Sequence, residues 1–237
     1  MCDRPRLSIV LPAYNEEGNI RRTIEEILSF LPGFAPIGRD FEIIAVDDGS
    51  RDQTGRIVQE LSAVHPEVRL VQHEVNRGYG GALRSGFAAA RGEFIFFMDS
   101  DGQFVFPEIE KLLAKIEQYD AVLGYRLDRQ DSFMRKLNAF GWNTLTKLLF
   151  GLSVRDIDCA FKLYRRELIA DMPLSSGGAL INAEMLARAK RKGFRFAQVG
   201  VTHRPRIAGK QTGANLRVII KAFAELFRLY SRIKRGE

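Results

Sequence analysis

The stretch FIFFMDSDGQF, residues 94–104, runs five apolar residues straight into Asp99, Ser100 and Asp101, with Gln103 two positions on. An apolar run without alternation reads as a strand buried on both faces, the kind found where helices cover both sides of a parallel sheet. Such a strand ends in carboxylates only if something at its tip requires them.

Outward from this stretch the same pattern repeats. LSIVL (7–11), FEIIAV (41–46), VRLVQH (68–73), EFIFFM (93–98) and DAVLGY (120–125) are strand-like. Between them lie helical patterns: EEGNIRRTIEEILSFL, DQTGRIVQELSAV, GGALRSGFAAA and PEIEKLLAKI. Strand–helix alternation predicts parallel strands with right-handed crossovers, hence an α/β fold with a mostly parallel open sheet flanked by helices. Ligands bind such sheets at the carboxyl ends of the strands, where strand order switches. Three of those ends are acidic turns: PAYNEE, DDGS and DSDGQ. One such turn is ordinary helix-cap chemistry. Three on one sheet edge make a site.

The second half is less regular. A helix is expected at about 133–150, a short strand at FKLYRR, a helix over ALINAEMLARAKRKG ended by Gly193, and a strand at FRFAQVGV. NLRVIIKAFAELFRLYSRIKR reads as an amphipathic helix with a narrow polar stripe. The expected division is one catalytic domain, 1–213, with a C-terminal helical appendage, 214–237.

With 237 residues, 46% of them hydrophobic, the chain can bury one substantial core. It carries 36 basic and 29 acidic residues, a net charge of +7, which suits anionic partners such as nucleotides, phosphates, nucleic acid or anionic lipid. Cys2 and Cys159 form no CxxC pair, which argues against a disulfide framework and a structural zinc site. The first residues are too soon charged for a signal peptide, and no window is apolar enough to span a bilayer. The expectation is a cytoplasmic protein, peripheral on the cytoplasmic face of a membrane.

Asp99 and Asp101 lie one residue apart in a turn, and two carboxylates that close repel unless a positive charge joins them. A hard divalent cation, Mg²⁺ or Mn²⁺, meets that need through oxygen ligands, with Gln103 adding a neutral oxygen and substrate phosphates completing the shell. The competing reading is a cap for PEIEKLL beside a solvated aspartate. NRGYGGALRSG is neither a dinucleotide fingerprint nor a P-loop, and its glycines suit close packing of a helix start.

Taken together, IVLPAYNEEGNI, IIAVDDGSRDQTG, NRGYGGALRSGF, ARGEFIFFMDSDGQF and RDIDCAFKLYRRE resemble, in order, the family 2 glycosyltransferases of GT-A (Rossmann-like) fold. The likeness extends to dolichol-phosphate mannosyltransferase and the bacterial polyprenyl-phosphate glycosyltransferases, and covers about residues 7–213. It implies that Pro12, Tyr14 and Glu16 hold base and ribose of a nucleotide sugar, a GDP- or UDP-hexose, and that Val46 and Asp48 read the base. Ser100, Asp101 and Gln103 fall at metal and diphosphate, with Asp99 beside them. Arg126 and Arg135 match basic residues near the acceptor. Asp156 aligns with the family's acceptor-facing aspartate, and Asp158 is a near alternative. RPRIAGKQTG resembles a late basic loop in which Arg206 and Gly209 match; Lys210 comes early and Thr212 stands in the lysine's place.

The resemblance implies a metal-dependent, inverting transfer of a hexose to a polyprenyl phosphate. A phosphate acceptor is already anionic and needs no general base, so Asp156 or Asp158 can orient rather than deprotonate. The helix around Phe133, Leu137, Phe140, Trp142, Leu145 and Leu149, and the C-terminal helix with Phe223, Phe227, Leu229 and Ile233, combine apolar and basic residues as interfacial helices do. Packing on the core, or a homodimer, would use the same surfaces. Two alternatives remain at this point: transfer to a saccharide hydroxyl, which needs a carboxylate base, and a basic nucleic-acid-binding module, against which the charge is scattered and no recognition motif appears.

Overall fold

The computed structural model describes residues 4–127, 133–170, 172–205 and 216–235, with the side chains of 133–140 and 216–223 left aside. In chain order the elements are β1 (Leu7–Ala13), α1 (Ile20–Phe30), β2 (Phe41–Asp47), α2 (Thr54–Val64), β3 (Val68–Gln72), α3 (Tyr79–Ala89), β4 (Phe94–Met98), α4 (Glu110–Ile116), β5 (Ala121–Leu127), α5 (Phe133–Phe150), β6 (Phe161–Arg165), α6 (Arg166–Ala170), α7 (Leu180–Arg191), β7 (Phe196–Thr202) and α8 (Leu216–Arg235). Short 3₁₀ turns follow α1 and precede α4.

Among the described residues the strands form one sheet in the order β3-β2-β1-β4-β6-β5-β7. β1, β2 and β4 are buried along their whole length, as their unbroken apolar runs require. The chain leaves β1 toward β2 and β3, then crosses back to β4 on the other side of β1, and both contacts of β1 are parallel. The switch in strand order therefore lies between β1 and β4, and their carboxyl ends share one edge with that of β2.

Alternation alone predicts parallel pairing throughout, and β6 departs from it. It runs antiparallel between β4 and β5, pairing Met98 with Phe161 and Leu123 with Lys162. An antiparallel strand presents its amino end where its neighbours present their carboxyl ends. Residues just before β6 are thus delivered to the same edge as the tips of β4 and β5.

α1 begins at Ile20, later than the periodicity from Glu16 suggests. The backbone N–H of Glu16 donates to Thr54 Oγ1 at 2.8 Å, and the Glu16 carbonyl accepts from the N–H groups of Asn19 and Ile20. The PAYNEE segment is consequently a turn tied to α2, with Asn15 at φ 55°. Gly193, at φ 81°, follows the end of α7 as a left-handed stop.

α3 lies across β1 and β2 at Gly86, where an added Cβ would overlap Val10 Cγ1 and crowd Val46 Cγ2. Gly86→Ala is expected to destabilise the protein by about 1–3 kcal/mol through overpacking. That lowers Tm by roughly 2–4 °C per kcal/mol for a chain of this size, which a calorimetric scan reads directly.

Candidate active site

The three acidic turns meet at the switch point. Asp48 N–H donates to the Ala13 carbonyl at 2.9 Å, joining the tips of β2 and β1. Ser100 Oγ donates to the Pro12 carbonyl at 2.8 Å, joining the tips of β4 and β1, and Thr23 Oγ1 of α1 reaches the Ser100 carbonyl at 3.2 Å. The buried Ser100 hydroxyl thus braces the two strands on either side of the switch. Asn15 and Ser50 lace the first two turns together: Asn15 N–H donates to Ser50 Oγ, and Arg51 N–H to Asn15 Oδ1. Tyr14 stands half out of the surface beside this frame, and Val46 is fully buried beneath it.

At the tip of β4, Asp101 is nearly buried and its Oδ1 accepts the Gln103 N–H at 3.1 Å. Burial, then the charge of Asp101, push the Asp99 carboxyl up to about 7; the Tyr79 hydroxyl and the Arg126 guanidinium pull the other way, and Glu16 adds repulsion. Glu16 is itself nearly buried and accepts from Asn19 Nδ2 at 2.7 Å. Three carboxylates therefore share one poorly solvated corner, and that corner favours a cation. Among the described residues no group of three or more His, Cys, Asp or Glu side chains forms a ready metal cage. The donor set fits Mg²⁺ or Mn²⁺ held by one or two carboxylates, with phosphate oxygens supplying the remainder. Gln103 Nε2 donates to the Arg204 carbonyl at 2.9 Å, and Arg204 N–H to the Gln103 carbonyl at 2.7 Å. Arg204 is accordingly held beside Gln103. Arg206, Lys210 and the Arg135 side chain lie outside the described residues.

The second half of the site comes from β5 and the turn before β6. Arg126 and Asp156 form a two-pronged pair, Nε to Oδ2 at 2.7 Å and Nη2 to Oδ1 at 2.8 Å, with both side chains largely buried. Burial alone would ease the proton off Arg126; the hydrogen bonds and charge of Asp156 more than offset this and hold the guanidinium firmly protonated. Both Asp156 oxygens are thus engaged. Ile157, between the two aspartates, is pinned from both sides. Its N–H donates to Asn143 Oδ1 at 3.0 Å, and its carbonyl accepts from Lys162 Nζ at 2.8 Å.

Lys162, Asn182 and Tyr79 escape a reading of motifs. Lys162 is fully buried in β6, donates also to Asn182 Oδ1 at 2.6 Å, and lies 5.6 Å from the Phe97 ring centre. Burial brings its ammonium down to about 8 against the opposing charges of Asp158 and Asp156. Tyr79, at the start of α3, feels Asp99, Asp158 and Asn182; burial first, then the charge of Asp99, raise its hydroxyl well above the ordinary range. One lysine inside FKLY is the only sequence signal for this cluster, and it is visible only once the strand is known to be buried on both faces. Cys159 sits in the same interior, its thiol pushed up to about 12 by burial and then by Asp156, and so is inert.

With this geometry in hand, comparison with known proteins is informative. Residues 8–172 match the family model described as glycosyl transferase family 2. The chain belongs to glycosyl transferase family 2. The glycosyltransferase AglD of Haloferax volcanii is 34% identical over 84% of this chain and 33% of its own length. The human dolichyl-phosphate beta-glucosyltransferase is 35% identical over 68% of this chain and 55% of its own. The undecaprenyl-phosphate 4-deoxy-4-formamido-L-arabinose transferase of Shewanella sediminis is 36% identical over 70% and 50%. The chain thus spans about a third to just over half the length of these curated relatives. Among solved structures, glucosyl-3-phosphoglycerate synthase from Mycobacterium tuberculosis superposes with a TM-score of 0.74 at 24% identity, over 96% of this chain and 80% of that one. That likeness establishes the GT-A fold. Membership of the family sets the nucleic-acid-binding module aside, and two of these relatives are named for dolichyl phosphate or undecaprenyl phosphate.

Proposed function

We propose that this family 2 glycosyltransferase moves a hexose, glucose in preference to mannose, from a nucleotide sugar to a polyprenyl phosphate at a membrane surface. The observation that carries the reading is the meeting of the β1, β2 and β4 tips at the switch point, with the Asp99–Asp101 pair beside the Arg126–Asp156 pair. The preference for glucose rests on the relatives named as dolichyl-phosphate beta-glucosyltransferases. A relative of the same fold is titled as bound to Mn²⁺ and UDP-glucose, which supports a divalent cation and a uridine donor here.

Pro12, Tyr14, Glu16, Val46 and Asp48 frame the nucleoside. Asp99, Asp101 and Gln103 would hold a divalent cation, and such an ion, when bound, would supply electrostatic stabilisation of the leaving diphosphate. Arg126, oriented by Asp156, meets the acceptor phosphate together with Arg135, and Arg206 and Lys210 of the late basic loop contact the donor phosphates. The engagement of both Asp156 oxygens by Arg126 suits Asp156 to orienting the guanidinium rather than to acting as a base. In-line attack by a phosphate oxygen inverts the anomeric centre.

Among the described residues no helix is long and apolar enough to cross a membrane. α8 instead buries Leu226, Leu229 and Ile233 in the protein and leaves Phe227 52% exposed, while Leu148 of α5 is 79% exposed. Phe150 of α5 meets Tyr230 of α8 edge-on, joining the two helices. Exposed apolar residues near Lys147 and Arg228 suit a basic interfacial foot. The double substitution Leu148→Glu and Phe227→Glu removes apolar contact without touching the core. Sedimentation with anionic vesicles should fall at least about tenfold, since each large side chain is worth on the order of 1.5–3 kcal/mol when fully buried. Unchanged sedimentation would remove the foot from the account.

The direct test is a panel of UDP- and GDP-hexoses with Mg²⁺ or Mn²⁺ and either a polyprenyl phosphate or a soluble saccharide. Lipid-linked hexose from UDP-glucose is the expected product. Turnover confined to the saccharide would replace this acceptor with the hydroxyl alternative.

A further inference from the structure

The two aspartates of the DDGS turn are employed differently. Asp47 gives Oδ1 to the Ser50 N–H at 3.0 Å and Oδ2 to Gln72 Nε2 at 3.1 Å, so both its oxygens hold the turn itself. Asp48 commits only Oδ1, which accepts from His73 Nδ1 at 2.7 Å and from the Arg77 N–H at 2.8 Å. Among the described residues, Oδ2 of Asp48 accepts no hydrogen bond. His73, at the end of β3 and buried, is fixed from its far side by Ser85 of α3, with Nε2 and Oγ 2.8 Å apart. The carboxylate next to Nδ1 requires a proton there, so in the neutral ring Nε2 accepts from the Ser85 hydroxyl. Ser85, His73 and Asp48 thus form a buried chain. It clamps one carboxylate oxygen and prevents the group from turning both toward a ligand.

We propose that His73, held by Ser85, is a positioning residue that restricts Asp48 to a single accepting oxygen, and that this selects a uracil-type base over guanine. The inference rests on the reading above in which Asp48 faces the base. Uracil offers one imide N–H between two carbonyl oxygens, which one carboxylate oxygen satisfies. Guanine offers N1–H and an adjacent amino group, which together ask for both carboxylate oxygens. With Oδ1 committed, one guanine N–H is left buried and unpaired, the situation that penalises binding most. The turn that carries Asp48 packs closely here: Gly49 sits at φ 70°, and a Cβ there would lie 2.7 Å from the Asn76 nitrogen.

The test measures UDP and GDP affinity by calorimetry in the presence of Mn²⁺, on the wild type, His73→Leu and His73→Asn. An asparagine amide nitrogen stands where Nδ1 stands and can restore the hydrogen bond to Asp48. Wild type is expected to prefer UDP by on the order of 10–100-fold, the scale of one unpaired polar group. In His73→Leu the ratio should fall below about threefold, largely by gain of GDP binding, and His73→Asn should recover most of it. A merely structural role would lower both affinities together and leave the ratio alone, and that outcome overturns the proposal, as does a wild type that binds GDP as tightly as UDP. Failure of the wild type to bind either nucleotide would instead strike the donor-site reading on which the proposal stands.

Discussion

Asp101→Ala is expected to abolish sugar transfer, by about 10³-fold or more, the scale of removing one preorganised charge-stabilising group. The fold should survive. Asp101 lies beyond the last residue of β4, and its removal relieves the repulsion that helps push the Asp99 carboxyl up to about 7. The melting temperature should therefore hold or rise while activity disappears, and calorimetric Mn²⁺ binding should weaken in step. Retained turnover in this variant, together with indifference of the wild type to a chelator, would take the cation out of the account.

Arg126→Met should lower both stability and activity, and the two losses can be separated. The substitution removes the two side-chain hydrogen bonds, 2.7 and 2.8 Å, that Arg126 gives the nearly buried Asp156 carboxylate. Breaking a buried ion pair from one side costs up to about 3–5 kcal/mol, because the remaining charge loses its main counter-charge. The double variant Arg126→Met with Asp156→Leu buries neither charge of the pair and should recover most of that stability. It should not recover transfer to a polyprenyl phosphate, since the guanidinium proposed to face the acceptor phosphate is still missing. Chemical denaturation and lipid-product assays on the three proteins decide the point; full activity in the double variant would reduce the pair to a structural tie.

Much of the sheet was legible because parallel strands covered on both faces announce themselves as unbroken apolar runs. FIFFM and LSIVL needed no tertiary information. The acidic tips were legible for a related reason: a carboxylate adjoining a buried strand is costly without a role. What could not be read was anything set by pairing direction. FKLYR is equally apolar whether it runs with or against β4, yet its reversal is what carries Asp156 and Asp158 to the tips. Glu42 inside FEIIAV illustrates the same limit. It looks like an exception in a buried strand, but Ser8, Arg69 and the Arg91 backbone and side chain, from three other segments, satisfy it. Their hydrogen bonds outweigh its burial and keep its carboxyl below the ordinary range. Lys162 is the counterpart on the far side of the sheet, and its partners Ile157 and Asn182 are likewise distant in pattern if not in space. The late start of α1 was hidden because the competitor for the Glu16 amide, Thr54, belongs to another helix.

The reversed strand also divides labour along the chain. Everything proposed to frame the nucleoside and to hold the cation comes from residues 12–103, whereas the Arg126–Asp156 side is contributed by a separate stretch entering through β5 and leaving through β6. A relative could thus diversify what receives the sugar by altering one contiguous cassette, with the machinery that unloads the donor inherited intact.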